Sequence, residues 1–255
     1  MRIWCLHGSL QTPSVWKTIG DAIESKFESV KVEEVNLYEN EYESFGHWRA
    51  QFYKKVERQT KGEPSLLLGY SMGGRLAMDA VVNRPGLWRG GILVGADPGL
   101  ISDDERRKQL QKDLKWARRF RTEDLQKLLE EWDRLPVFCG RSNCASREIS
   151  ELDSEKIGRF FDVFSKARQP NMLPMLRKLK NTPLLYISGS DDLKYTKFGQ
   201  DLATHCLQIR HEIIPQAGHR VPWENQDAFV SEVSLFIGSV PVSYTHLTLP
   251  TILLV

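Results

Sequence analysis

The sequence predicts an α/β domain, a mostly parallel, doubly wound sheet interrupted by a helical cap. Three observations carry that expectation. Short apolar runs at Arg2–Leu6, Val30–Val35, Ser65–Leu68, Gly91–Val94, Pro183–Ser188 and Arg210–Ile214 have the length and composition of strands. Helix-like stretches alternate with most of them, including Ser14–Ser25, Phe45–Thr60, Met72–Asn83 and Glu224–Ile237, as parallel strands joined by crossover helices require. From Ile101 to about Leu179 no convincing strand occurs, only consecutive amphipathic helices, the pattern of a cap inserted between two sheet strands. The expected organisation is a core of residues 1–100 and 180–239, a cap over 101–179 and a separate tail over 240–255.

Taken in chain order, the first strand runs straight into His7-Gly8-Ser9, a tight loop whose amides lie at the head of the sheet. The third is followed by Gly69-Tyr70-Ser71-Met72-Gly73, the pattern G-x-S-x-G, and then by a helix. Strand, tight turn and helix together make the setting of a nucleophile elbow. Its glycines have a physical reason, because a turn this tight leaves no room for side chains beside the serine and strains the backbone. Ser71 is the expected nucleophile, with the Met72 amide supplying one half of an oxyanion hole and an amide of the His7-Gly8-Ser9 loop the other.

The partners of such a serine follow in the order acid, then histidine. The fifth strand ends in Gly189-Ser190-Asp191-Asp192, and the sixth leads into Gln216-Ala217-Gly218-His219. His219 is the expected base. Asp192 is favoured as the acid, with Asp191 and, more distantly, Asp97 as alternatives. A serine hydroxyl needs an imidazole to take its proton, and the imidazole needs a carboxylate to fix its tautomer.

Composition narrows the function classes. With 255 residues and 41% hydrophobic content, the chain suits one enzyme-sized body with a sizeable core. A net charge of +2 gives no basis for nucleic-acid binding. Cys5, Cys139, Cys144 and Cys206 lack the spacing of a zinc site or a disulfide scaffold, so neither is expected, and the serine chemistry read above needs no metal or cofactor. The first strand begins at once and no run approaches a membrane span, so a cytoplasmic, membrane-free protein is expected. Oligomeric state is not legible. The tail Val240–Val255 carries no Asp, Glu, Lys or Arg and resembles translated sequencing adapter; it is set aside as non-native, the alternative being a genuine C-terminal strand.

His7-Gly8, the elbow, Gly189-to-Asp192 and Gly218-His219, met in this order, resemble the α/β-hydrolase superfamily from Met1 to about Gly238. A longer set of residues is more specific. Gly69 to Met78, Asp97-Pro98-Gly99-Leu100, Glu105-Arg106-Arg107, Asp113, Trp116-Ala117, Phe120, Trp132 and Pro136-Val137-Phe138 resemble the 2-succinyl-6-hydroxy-2,4-cyclohexadiene-1-carboxylate (SHCHC) synthases of menaquinone biosynthesis, enzymes that eliminate pyruvate. The resemblance implies that Ser71 and His219 form a proton-abstracting pair and that Arg75 grips a substrate carboxylate. A second family arginine falls on Gln109, with Arg106 or Arg107 as substitutes one turn earlier, and Arg147 is the nearest counterpart of a third.

The expected ligand is therefore a small anionic organic substrate, bound by Arg75, Tyr70, Arg106, Arg107 and Trp132. Eight Lys or Arg between Glu105 and Arg121 strengthen the expectation if they face Ser71. The competing expectation is a carboxylesterase, thioesterase or C–C bond hydrolase working through an acyl-Ser71 intermediate.

Overall fold

A computed structural model describes residues 1–240. The 240–255 tail expected to be non-native lies, apart from Val240, outside the described residues. In chain order the elements are β1 (Arg2–Leu6), α1 (Lys17–Lys26), β2 (Lys31–Val35), α2 (Phe45–Thr60), β3 (Ser65–Tyr70), α3 (Met72–Asn83), β4 (Trp88–Val94), α4 (Asp103–Thr122), α5 (Leu125–Asp133), α6 (Ser154–Val163), α7 (Leu173–Lys178), β5 (Leu184–Gly189), α8 (Leu193–His205), β6 (Ile209–Ile214), α9 (Val221–Glu224) and α10 (Gln226–Ser239). The strands form one six-stranded sheet in the order β2-β1-β3-β4-β5-β6, with every pairing parallel.

Alternation along the strands divides the core in two. Trp4 and Leu6 face the layer that holds Phe52 of α2, Leu76 of α3 and Leu202 of α8, whereas Ile3 and Cys5 face Ile19 and Ile23 of α1 and Phe229 and Val233 of α10. β3 is buried at all six positions, as a central strand with helices on both faces must be. The outermost strands β2 and β6 carry Lys31, Glu33, Glu34, Arg210 and Glu212, charges that discourage further strand pairing.

Between β4 and β5 the chain is helical. α4 opens with a full capping box, in which the Ser102 side chain accepts from the first turn and Glu105 reaches back to the Ser102 amide. α4 then packs along α6, where Gly158 lies against the Ala117 carbonyl; a Cβ there would approach it to 2.8 Å. These helices stand over the C-terminal ends of β3, β4 and β5, where ligands bind in open parallel sheets. Among the described residues no helix is long and apolar enough to cross a membrane.

Candidate active site

The backbone at Ser71 is strained, with φ 52° and ψ −109°, a region that side-chain-bearing residues rarely occupy. Its neighbours show why. A Cβ on Gly69 would lie 2.3 Å from the Gly73 carbonyl oxygen, and one on Gly73 would lie 2.3 Å from the Leu6 carbonyl oxygen. Only glycine lets the end of β3, the start of α3 and the end of β1 approach this closely. The turn is tied down by Ser71 N donating to Val94 O at 2.7 Å, and the serine hydroxyl is left at the head of the sheet.

His219 comes to that hydroxyl from the loop after β6. Nδ1–H of His219 donates to Asp192 Oδ2 at 2.6 Å, and Ser71 Oγ donates to His219 Nε2 at 3.1 Å. With a carboxylate on Nδ1, a neutral ring presents Nε2 as acceptor, the tautomer that can receive a proton from Ser71. His219 and Asp192 are both buried. The loops bearing them are joined by Asp191 N donating to Ala217 O at 2.9 Å. Gly189 makes that junction possible, since a Cβ there would lie 2.2 Å from the carbonyl oxygens of Ala217 and Gly218. Gly95, at φ +54°, makes room for the imidazole in the same way.

Of the acids weighed from sequence, only Asp192 reaches His219. Asp191 points outward to pair with Arg141, which holds its carboxyl below the usual range. Asp97 is buried beside Lys166 at 2.8 Å; burial alone would raise its carboxyl, but the ammonium and the Gly99 amide draw it down.

Ser71 and His219 open on a cavity of about 260 Å³ under the cap. Ser9, Met72, Arg75 and Trp132 line it, as do Gln109, Asp113, Phe138, Phe161, Lys166, Lys194 and Tyr195. Arg75 is aimed by two acceptors, Gln169 Oε1 at 3.0 Å and Phe164 O at 2.9 Å, and burial lowers its pKa. Trp132 is wedged edge-on between Trp116 and Phe161. Gln109, standing where the family pattern has an arginine, donates to Asp113 at 2.8 Å, while Asp113 accepts from Ser165 Oγ at 2.6 Å.

Three expected substrate contacts, Arg106, Arg107 and Tyr70, do not line this cavity. Arg106 does not line the cavity; its guanidinium is used up on the carbonyls of Ala167, Gln169 and Leu100, stapling α4 to the segment before α7. Arg107 is exposed and pairs with Asp104 one turn away. The basic run of α4 behaves likewise, with Arg119 held by Glu123 and Glu131, and Arg121 by Glu155 and Asp162. Tyr70 is buried behind the serine, its ring 5.5 Å from that of His219, and burial pushes its phenol far above the usual range.

The cations that do face the cavity, besides Arg75, went unnoticed in the sequence. Lys194 sits two residues past Asp192, where its sequence position was the only signal; burial and the neighbouring Lys166 lower its pKa. Lys166 carried no signal, because it is the cap's fold that brings it to Asp97.

This arrangement has counterparts among known proteins. Residues 5–232 match the alpha/beta hydrolase family. The chain belongs to that family. Within it, the SHCHC synthase of Serratia proteamaculans is 35% identical over 176 residues, spanning 67% of each chain. That of Escherichia coli O1:K1 is 31% identical over 171 residues, 66% of each. Over these relatives the similarity thus spans about two thirds of their length. Among solved structures, MenH from S. aureus superposes with a TM-score of 0.80 at 19% identity, covering 93% of both chains. As an α/β-hydrolase, the chain carries Ser71 in the tight turn after β3 and Asp192 in the loop after β5.

Proposed function

We propose that this α/β-hydrolase is an SHCHC synthase-like enzyme that eliminates pyruvate from an anionic cyclohexene carboxylate. The observation that carries the reading is the hydrogen-bonded line Ser71–His219–Asp192 opening on a cavity walled by the cations Arg75, Lys166 and Lys194. Lys166 is balanced by Asp97, but Arg75 and Lys194 face the cavity without a carboxylate bonded to either, which suits an anionic substrate better than a neutral ester. The similarity to SHCHC synthases, reported above, supports the same substrate class.

In this reading Ser71 Oγ takes a proton from the substrate ring while passing its own to His219 Nε2, and Asp192 stabilises the imidazolium. The amides of Ser9 and Met72 hold the negative charge that develops on the adjacent enolate oxygen. Met72 begins α3, so its amide points out of the helix N-terminus, where the helix dipole favours negative charge. The electron pair then forms the ring double bond as the C–O bond to the enolpyruvyl group breaks. The proton held by His219 goes to the leaving group, which departs as pyruvate. Arg75 orients the substrate through a carboxylate, with Trp132 forming part of the same cavity wall.

Pyruvate release from the menaquinone-pathway intermediate, followed with a Ser71→Ala control, tests this. Fast, serine-dependent release supports elimination. Release no faster than the spontaneous reaction, together with a burst of product from activated esters, would move the protein to acyl-serine hydrolysis.

A further inference from the structure

Tyr195 lines the cavity, yet the reaction described above makes no use of it. Asp192 fixes its place. As the N-terminal cap of α8, the triad acid accepts from Tyr195 N at 3.4 Å, and residues three apart at a helix start lie close on one side. Both side chains turn to His219: Asp192 binds Nδ1 at 2.6 Å, and the Tyr195 ring lies 4.5 Å from the imidazole, tilted by 42°.

Packing accounts for the ring but not for the hydroxyl. Tyr195 is 9% exposed, and its hydroxyl has no hydrogen-bond partner among the described residues. Unlike the enclosed indole nitrogens of Trp4 and Trp16, its oxygen keeps accessible surface, in a residue whose open side is the cavity. Tyr186 on β5 shows the ordinary arrangement, a fully buried phenol donating to Ala96 O at 2.9 Å. A largely buried hydroxyl without an acceptor lowers stability, and phenylalanine would fill the same space without that penalty.

The charges around the hydroxyl indicate what it meets. Burial and the carboxylates of Asp97 and Asp192 push the phenol far above its usual range, so it stays protonated and can donate, while Arg75 acts on it in the opposite sense. Asp97 is already occupied, with Oδ2 accepting from Lys166 at 2.8 Å and Oδ1 from the Gly99 amide at 3.0 Å. Arg75 lines the same cavity and gives only two of a guanidinium's five N–H groups to Gln169 and Phe164. A neutral donor and a cation thus face one space, a pairing that suits a ligand oxygen bearing negative charge.

We infer that the Tyr195 hydroxyl is a substrate-binding donor that holds, together with Arg75, one carboxylate of the ligand. The inference rests on the anionic-substrate reading above and adds a residue to it. Arg75 supplies charge; Tyr195 supplies a directional bond from a helix turn that Asp192 ties to the triad. Tyr195 therefore sets affinity and placement relative to His219, and takes no proton itself.

Calorimetric titration with succinate, beside thermal melts of the full chain, tests this. Tyr195→Phe should bind succinate about tenfold more weakly than the wild type, the loss of one hydrogen bond to a charged group, at a melting temperature equal to or above it. Tyr186→Phe, which strands the Ala96 carbonyl, should instead melt lower. In Arg75→Ala combined with Tyr195→Phe the losses should fall short of the sum of the single ones, because both groups act on one carboxylate. Binding unchanged in Tyr195→Phe, no binding to the wild type, fully additive losses or a lowered melting temperature in Tyr195→Phe would overturn the inference. Tyrosine-dependent succinate binding without pyruvate release would keep the donor and remove the elimination reaction; serine-dependent release with binding unchanged in Tyr195→Phe would do the reverse.

Discussion

Asp192 Oδ2 lies 2.6 Å from His219 Nδ1, and both groups are buried, while Asp191, the residue before it, points to solvent and pairs with Arg141. One position of sequence separates a carboxylate that can hold the imidazole tautomer from one that cannot. Asp192→Asn should therefore lower turnover by on the order of 10⁴-fold, the cost of the wrong tautomer. Asp191→Asn should leave steady-state turnover close to wild type, and equal losses in the two variants would refute the assignment.

Ser71→Ala and His219→Ala should each remove nearly all turnover, about 10⁴-fold or more, and the double variant should lose little beyond either single one, since the two residues act as a unit. Single-turnover kinetics with purified variants of unchanged melting temperature would check both magnitude and non-additivity.

Arg75→Ala should weaken kcat/KM for an anionic substrate by roughly 10- to 150-fold, the range of a charge-assisted hydrogen bond, and spare a neutral ester of similar size. Parallel kinetics on the two substrates decide it. An equal loss on both would mean that Arg75 only braces Phe164 and Gln169.

Gly95→Ala should depress activity more than stability. The new Cβ would lie 2.9 Å from His219 Cε1, and the φ of +54° there strains any other residue by about 1–2 kcal/mol. The measurement is a thermal melt beside kcat: a small shift in the first with a large fall in the second is expected.

His7 gives stability a pH dependence independent of catalysis. It is fully buried with both nitrogens in use, Nδ1 donating to Gly8 O and Nε2 accepting from Leu37 N, and burial lowers its pKa from 6.5 to about 4. Because the folded ring resists protonation, its contribution is complete above pH 6.5 and is lost as pH falls towards 4. The loss should approach about 3 kcal/mol. Urea titrations of the wild type and His7→Gln at pH 7 and pH 4.5 should show a larger pH effect in the wild type; His211, which burial also lowers, adds a slope common to both.

How much of the site the sequence disclosed depended on whether a residue's role is set by its own neighbours. The elbow was legible because Gly69 and Gly73 answer a local steric demand, and the helix starts at Phe45 and Met72 fall where the sequence placed them. The helix α8 was not singled out, although Asp192 caps it by accepting from Tyr195 N. Arg106 and Arg107 looked like ligand contacts only because a basic run has no direction in sequence; folding turned Arg106 onto cap carbonyls and Arg107 to solvent.

By itself the sequence determined the parallel sheet, the order of its chemical loops and the serine at the elbow, because strand period, helix period and turn sterics act over a few residues. Tertiary structure alone decided which cations face the cavity. Lys166 meets Asp97 across 69 positions, and Arg220 and Arg147 meet on Asp133 across 87 and 14. Such pairings are set by how the cap packs over the sheet, and a charge carries no local signature of the partner that packing will bring to it.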